Sequence, residues 1–140
     1  MKYWDSSALV PLVVRQAATE RVRSLYREDP HVFTWWGTRI ECVAAVSRLE
    51  REKALSASAV RTSLRRLNDL ASRWHEVEPA DALRSLAQRL LRTHPLRTAD
   101  ALQLAAALRS VPEGEFVCLD ARLNAAAEKE ALTVIFPEEV

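Results

Sequence analysis

Glycine is nearly missing from this chain, with 2 in 140 residues. Two glycines leave little room for the loop that cradles phosphates in nucleotide-binding folds, and neither a P-loop nor a dinucleotide fingerprint is present. Cysteine is as scarce. The 2 that occur, Cys42 and Cys118, stand far apart, each in an apolar stretch. That fits buried, reduced thiols better than a disulfide or a metal site. The three histidines, His31, His75 and His94, have no ligand spacing to one another or to the cysteines. The formal net charge is only +1, so the field of the whole molecule argues neither for nor against a polyanionic partner. No apolar run approaches the ~20 residues needed to span a bilayer. Asp5-Ser6-Ser7 interrupts the N-terminal apolar residues too soon for a signal peptide. A cytoplasmic protein without a membrane partner is the expectation.

Apolar residues are plentiful, at 49% of the chain. A chain of this length is expected to form one domain over residues 1–140, burying roughly two thirds of its unfolded surface. Only three of its 20 basic residues are lysines (Lys2, Lys53 and Lys129). Arginine grips phosphate with a bidentate fork and stacks on bases, which suits nucleic acid. A genome rich in G and C is the simpler source of the bias.

Patterning predicts strands alternating with helices. Lys2-Tyr3-Trp4 reads as a first strand ending at Asp5, and helices follow over 7–14 and 17–27. A second strand spans 32–35 and closes at Gly37. Thr38 then starts a helix running to about Lys53, with Ile40, Val43, Ala44 and Leu49 on one side. Ser56 opens the next, striped by Val60, Leu64, Leu67, Leu70 and Ala71. A short strand is expected within 74–78, then a helix from Pro79 stopped by His94-Pro95, and another from Thr98 to about Ala107. A strand over 116–119, a helix over 121–129 and a strand over 133–136 complete the chain. This order implies an α/β fold with a mostly parallel, four- to five-stranded sheet flanked by helices on both faces.

Four acids lie against apolar sequence, where a charge demands a reason. Asp5 and Asp120 follow strands, while Glu41 and Asp100 fall in first helical turns. Each also has a plain structural role open to it. Thr38-Arg39-Ile40-Glu41 has the form of a capping box, Asp5 and Asp120 suit N-caps, and Asp100 complements a helix dipole. Together they suggest more, because residues just past the carboxyl ends of neighbouring parallel strands converge on one crevice. Two carboxylates ~5 Å apart repel by about 3 kcal/mol at an effective dielectric near 20. A hard divalent cation relieves that repulsion, and all-oxygen donors select Mg²⁺ or Mn²⁺. Such a centre suits hydrolysis of a phosphodiester. No Ser/His or Cys/His pairing offers a rival chemistry.

Four segments in series resemble the PIN-domain family: Tyr3-Trp4-Asp5-Ser6-Ser7-Ala8-Leu9-Val10; Thr38-Arg39-Ile40-Glu41-Cys42-Val43-Ala44-Ala45 with Arg48; Arg97-Thr98-Ala99-Asp100-Ala101-Leu102-Gln103-Leu104-Ala105-Ala106-Ala107; and Phe116-Val117-Cys118-Leu119-Asp120-Ala121-Arg122-Leu123 with Ala126. They span nearly the whole chain in family order. The chain is most similar to VapC toxins of type II toxin–antitoxin pairs. The resemblance implies a Mg²⁺- or Mn²⁺-dependent endoribonuclease acting on tRNA, rRNA or mRNA, a homodimer, and neutralisation by a small VapB-like antitoxin protein. It carries the acidic, metal-binding quartet onto Asp5, Glu41, Asp100 and Asp120. Ser7 matches a hydroxyl position supporting Asp5 or a water on the metal, and Thr98 either orients Asp100 or caps its helix. Asn124 is a polar neighbour that also reads as a surface residue.

Arg39, Arg48 and Arg122 stand near the acids and are candidates for RNA phosphates. Trp35 and Trp36 read as core or interface first and as base-stacking residues second. Two other readings stay open. One is a PIN nuclease that processes RNA without an antitoxin. The other is a non-enzymatic acidic-pocket module, of signalling or binding type. Phospho-acceptor signalling wants adjacent acids after the first strand and a lysine near the last, whereas Asp5 precedes serines and Lys129 is the only late lysine.

Overall fold

A computed structural model describes residues 1–136. Its elements are β1 (Lys2–Trp4), α1 (Ser6–Val13), α2 (Thr19–Glu28), β2 (Val32–Trp35), α3 (Thr38–Arg51), α4 (Ala57–Ala71), β3 (His75–Val77), α5 (Asp81–Thr93), α6 (Thr98–Ser110), β4 (Glu115–Val117), α7 (Ala121–Lys129) and β5 (Thr133–Ile135). The strands form one 5-stranded sheet in the order β3-β2-β1-β4-β5, and every pairing is parallel. Parallel strands need crossovers, and the helices provide them. The anticipated α/β architecture is therefore present.

Successive side chains of a strand point to opposite faces, and β1 shows it. Tyr3 packs with α5, α6 and α7 on one face, while Trp4 packs with residues of α1, α3 and α4 on the other. Both are fully buried, as suits a central strand covered on both sides. Phe116 of β4 stacks on Tyr3 with ring centroids 5.7 Å apart.

Element ends shift slightly from expectation. The Ser56 side chain caps α4 by accepting from the Ala59 N–H. Thr98, in contrast, is the first helical residue of α6 and not its cap. Helix α3 stops at Arg51, and the chain leaves it through Lys53 at φ 61° in the left-handed region that glycine usually fills. Strand β4 ends at Val117, short of the expected apolar run, and just beyond it the Leu119 N–H bonds Ser7 Oγ of α1 at 2.9 Å.

Candidate active site

Strands β1 and β4 lie side by side, so the residues that follow them meet at one edge of the sheet. Asp5 ends β1 and caps α1. It is 5% exposed, and its Oδ2 accepts from the Ser7 backbone N–H at 3.0 Å and from the Cys118 thiol at 3.6 Å. Burial raises the Asp5 pKa, and the nearby Asp100 carboxylate adds to the rise. Cys118 itself is held protonated by burial, which lifts its pKa well above the ordinary thiol value. The thiol is therefore a neutral donor beneath the carboxylate.

Glu41 sits in the first turn of α3, where it would close a capping box with Thr38. It does not. The helix begins after Gly37 with no side-chain cap, and the carboxylate turns to the sheet edge instead. Its Oε1 accepts from Ser6 Oγ at 3.0 Å. Its Oε2 accepts from Gln103 Nε2 at 3.0 Å and from Trp35 Nε1 at 3.5 Å. Burial raises the Glu41 pKa first, and the Asp5 charge second. Gln103, on α6, is almost fully buried. It also accepts from the Tyr3 hydroxyl at 2.6 Å and donates to Thr38 Oγ1 at 3.0 Å. One amide thus ties β1, α3 and α6 together behind Glu41.

Asp100 accepts from the Arg97 backbone N–H at 3.2 Å, and Asp120 caps α7 by accepting from the Arg122 and Leu123 N–H groups. Their capping roles are real, and so is their place at the crevice. Asp120 lines a cleft of about 620 Å³ with Ser6, Ser7 and Glu41. It also lines a smaller one of about 360 Å³ with Asp100. Ser7 supports Asp5 through its backbone, and its hydroxyl oxygen accepts from the Leu119 N–H at 2.9 Å. Asn124 is buried, not a surface residue. Its side chain donates to the Cys118 carbonyl at 2.9 Å, holding the turn after β4.

The four acids share one neighbourhood and have no lysine or arginine ion-pair partner among the described residues. Their donor set, all oxygen and mutually repelling, fits a hard divalent cation in chemistry and in charge. Among the described residues, no three His, Cys, Asp or Glu side chains close on a single point, so no coordination shell is preformed. Of the basic candidates, Arg48 and Arg122 line the clefts, whereas Arg39 is turned aside to Asn68 Oδ1 at 2.7 Å. Trp35 is partly buried beside Glu41, and Trp36 is half exposed. Sequence reasoning missed Ser6, Gln103 and Cys118. Only Ser6 carried a signal, as a hydroxyl directly after the first acid.

Comparison with known proteins agrees with the fold. A family model described as the PIN domain matches residues 2–129. The chain belongs to the PIN domain family. Two solved structures share this PIN fold across 100% of both chains. One is a toxin–antitoxin complex from Klebsiella pneumoniae, 14% identical with a TM-score of 0.70. The other is FitAcB from Neisseria gonorrhoeae, 17% identical with a TM-score of 0.73. No curated protein matches the chain.

Proposed function

We propose that the chain, as a single PIN domain over residues 1–140, is a divalent-cation-dependent endoribonuclease and the toxin of a VapC-type toxin–antitoxin pair. The observation that carries the reading is a set of four carboxylates at the crevice past β1 and β4, none with a lysine or arginine ion-pair partner among the described residues. Asp5, Glu41, Asp100 and Asp120 would hold Mg²⁺ or Mn²⁺. When bound, such an ion supplies an acidified water and offsets charge on the reacting phosphate. Ser7 and Cys118 fix Asp5, while Ser6, Gln103 and Trp35 fix Glu41, so the acids keep their places when RNA enters. Water adds to phosphorus and the ribose 3′ oxygen leaves with a proton, giving 5′-phosphate and 3′-hydroxyl ends. The Klebsiella pneumoniae neighbour is a toxin–antitoxin complex, which supports a small VapB-like antitoxin as partner, and a homodimer acting in the cytoplasm completes the reading. No helix among the described residues is long and apolar enough to cross a membrane, which is compatible with that location.

The test is cleavage of RNA in Mg²⁺ or Mn²⁺, with chelator as control. Asp5→Asn and Asp100→Asn are each expected to abolish it. Activity surviving either change overturns the assignment.

A further inference from the structure

The two clefts that meet at Asp120 both carry arginines. At its far end the larger one carries Arg48 and Arg51, about two and nearly three turns beyond Glu41 along α3. The smaller one carries Arg97 and Arg122 around Asp100. All four arginines are exposed. Among the described residues the arginines engaged in ion pairs are others: Arg15, Arg23, Arg73, Arg84 and Arg89. Four free guanidinium groups therefore flank the acids, two on each side. Between Glu41 and Arg48 the wall is built from Ala44 and Ala45, whose short side chains keep the path open.

From this arrangement we infer that a single-stranded RNA binds in both clefts at once, crossing Asp120. Phosphates on one side of the cut bond contact Arg48 and Arg51, and those on the other side contact Arg97 and Arg122. The inference rests on the nuclease reading and adds the binding track to it. A guanidinium binds a phosphate oxygen pair in a fork, and it is carboxylates alone that would repel the strand between the two arms. Two concave clefts sharing one wall require a backbone that bends between them. An unpaired strand bends in this way, whereas a base-paired A-form helix presents a regular surface recognised by shape across its minor groove.

The experiment compares Arg48→Gln/Arg51→Gln, Arg97→Gln/Arg122→Gln and the quadruple variant with wild type. A control, Arg61→Gln/Arg65→Gln, lies on α4 and lines neither cleft. Binding of a fluorescent single-stranded oligoribonucleotide is followed in chelator against salt, and cleavage in Mn²⁺. Each arm variant is expected to weaken binding about tenfold and to lower the log–log salt slope by about 1.4, the share of two phosphates on a single strand. KM should rise accordingly with kcat nearly unchanged, the two arms should add in the quadruple variant, and the control should match wild type. An arm variant that behaves like the control, or a duplex bound as tightly as the single strand, overturns the track. The binding arm does not need catalysis. A wild type that binds RNA through both arms yet never cleaves it leaves the track standing and removes the nuclease reading instead.

Discussion

At the scale of single residues, Gln103 does the work of several. The lone hydroxyl proton of Tyr3 goes to its carbonyl oxygen, and its two amide protons go to Thr38 and Glu41. Its orientation is thereby determined, and Glu41 is held as an acceptor. Gln103→Met keeps the bulk and removes all three bonds. Cleavage is expected to fall about tenfold or more, the usual effect of losing a group that orients a metal-binding carboxylate. The buried Tyr3 hydroxyl, left without an acceptor, should cost about 1–3 kcal/mol in thermal or chemical denaturation. Wild-type rates in this variant would show that Glu41 needs no such hold. Nothing in the sequence singles the residue out. Within Leu102-Gln103-Leu104 a glutamine reads as any polar helix position, and its partners Thr38 and Tyr3 stand 65 and 100 residues away. Cys118 was hidden for the same reason, since a thiol in an apolar strand looks like core. The four acids were legible because a charge beside apolar sequence has few explanations. Their hydrogen-bond partners, ordinary polar residues, have many.

At the scale of elements, alternation of apolar runs with helical stripes was enough to place all five strands and the helices between them. The start of α3 was not legible. A Thr-x-x-Glu sequence opening a helix is the pattern of a capping box, yet the crevice offers Glu41 three side-chain donors, and these displace the local bond. Gly37 permits this turn by its lack of bulk. A Cβ built there would collide with Trp35 Cζ2, so the indole beside Glu41 must move. Gly37→Ala is therefore expected to destabilise the protein by about 1–3 kcal/mol through overcrowding and to reduce cleavage more than a substitution of equal stability cost on α5. Unchanged melting and activity would show that Trp35 yields freely.

At the scale of the whole molecule, the crevice opposes the fold that builds it. Asp5 and Glu41 bind protons more tightly in the native protein than in the unfolded chain, because burial and mutual charge raise both pKa values. Stability from these two groups is therefore present below their ordinary range, declines as pH rises through the raised values, and stays diminished near neutrality. Asp29 and Glu130, whose pKa values are lowered chiefly by hydrogen bonds to the N-terminal amine and to Arg89, act in the opposite sense, losing their contribution as pH falls. A difference measurement separates the two effects. In chelator, Asp5→Asn is expected to melt a few degrees above wild type near pH 7, with the gap narrowing as pH falls and the Asp5 carboxylate takes up its proton, since asparagine keeps the helix cap without the charge. A variant that melts lower at every pH would show that the carboxylate stabilises the native state.

The sheet order has a consequence for how this protein comes into being. Its first strand is the middle one, and the neighbour that completes it, β4, is made only at residues 115–117. Asp5 and Glu41 emerge from the ribosome early, Asp100 and Asp120 late. On the nuclease reading, a nascent chain is thus inert until Asp120 has emerged, and the message that encodes it is safe from its own product until then.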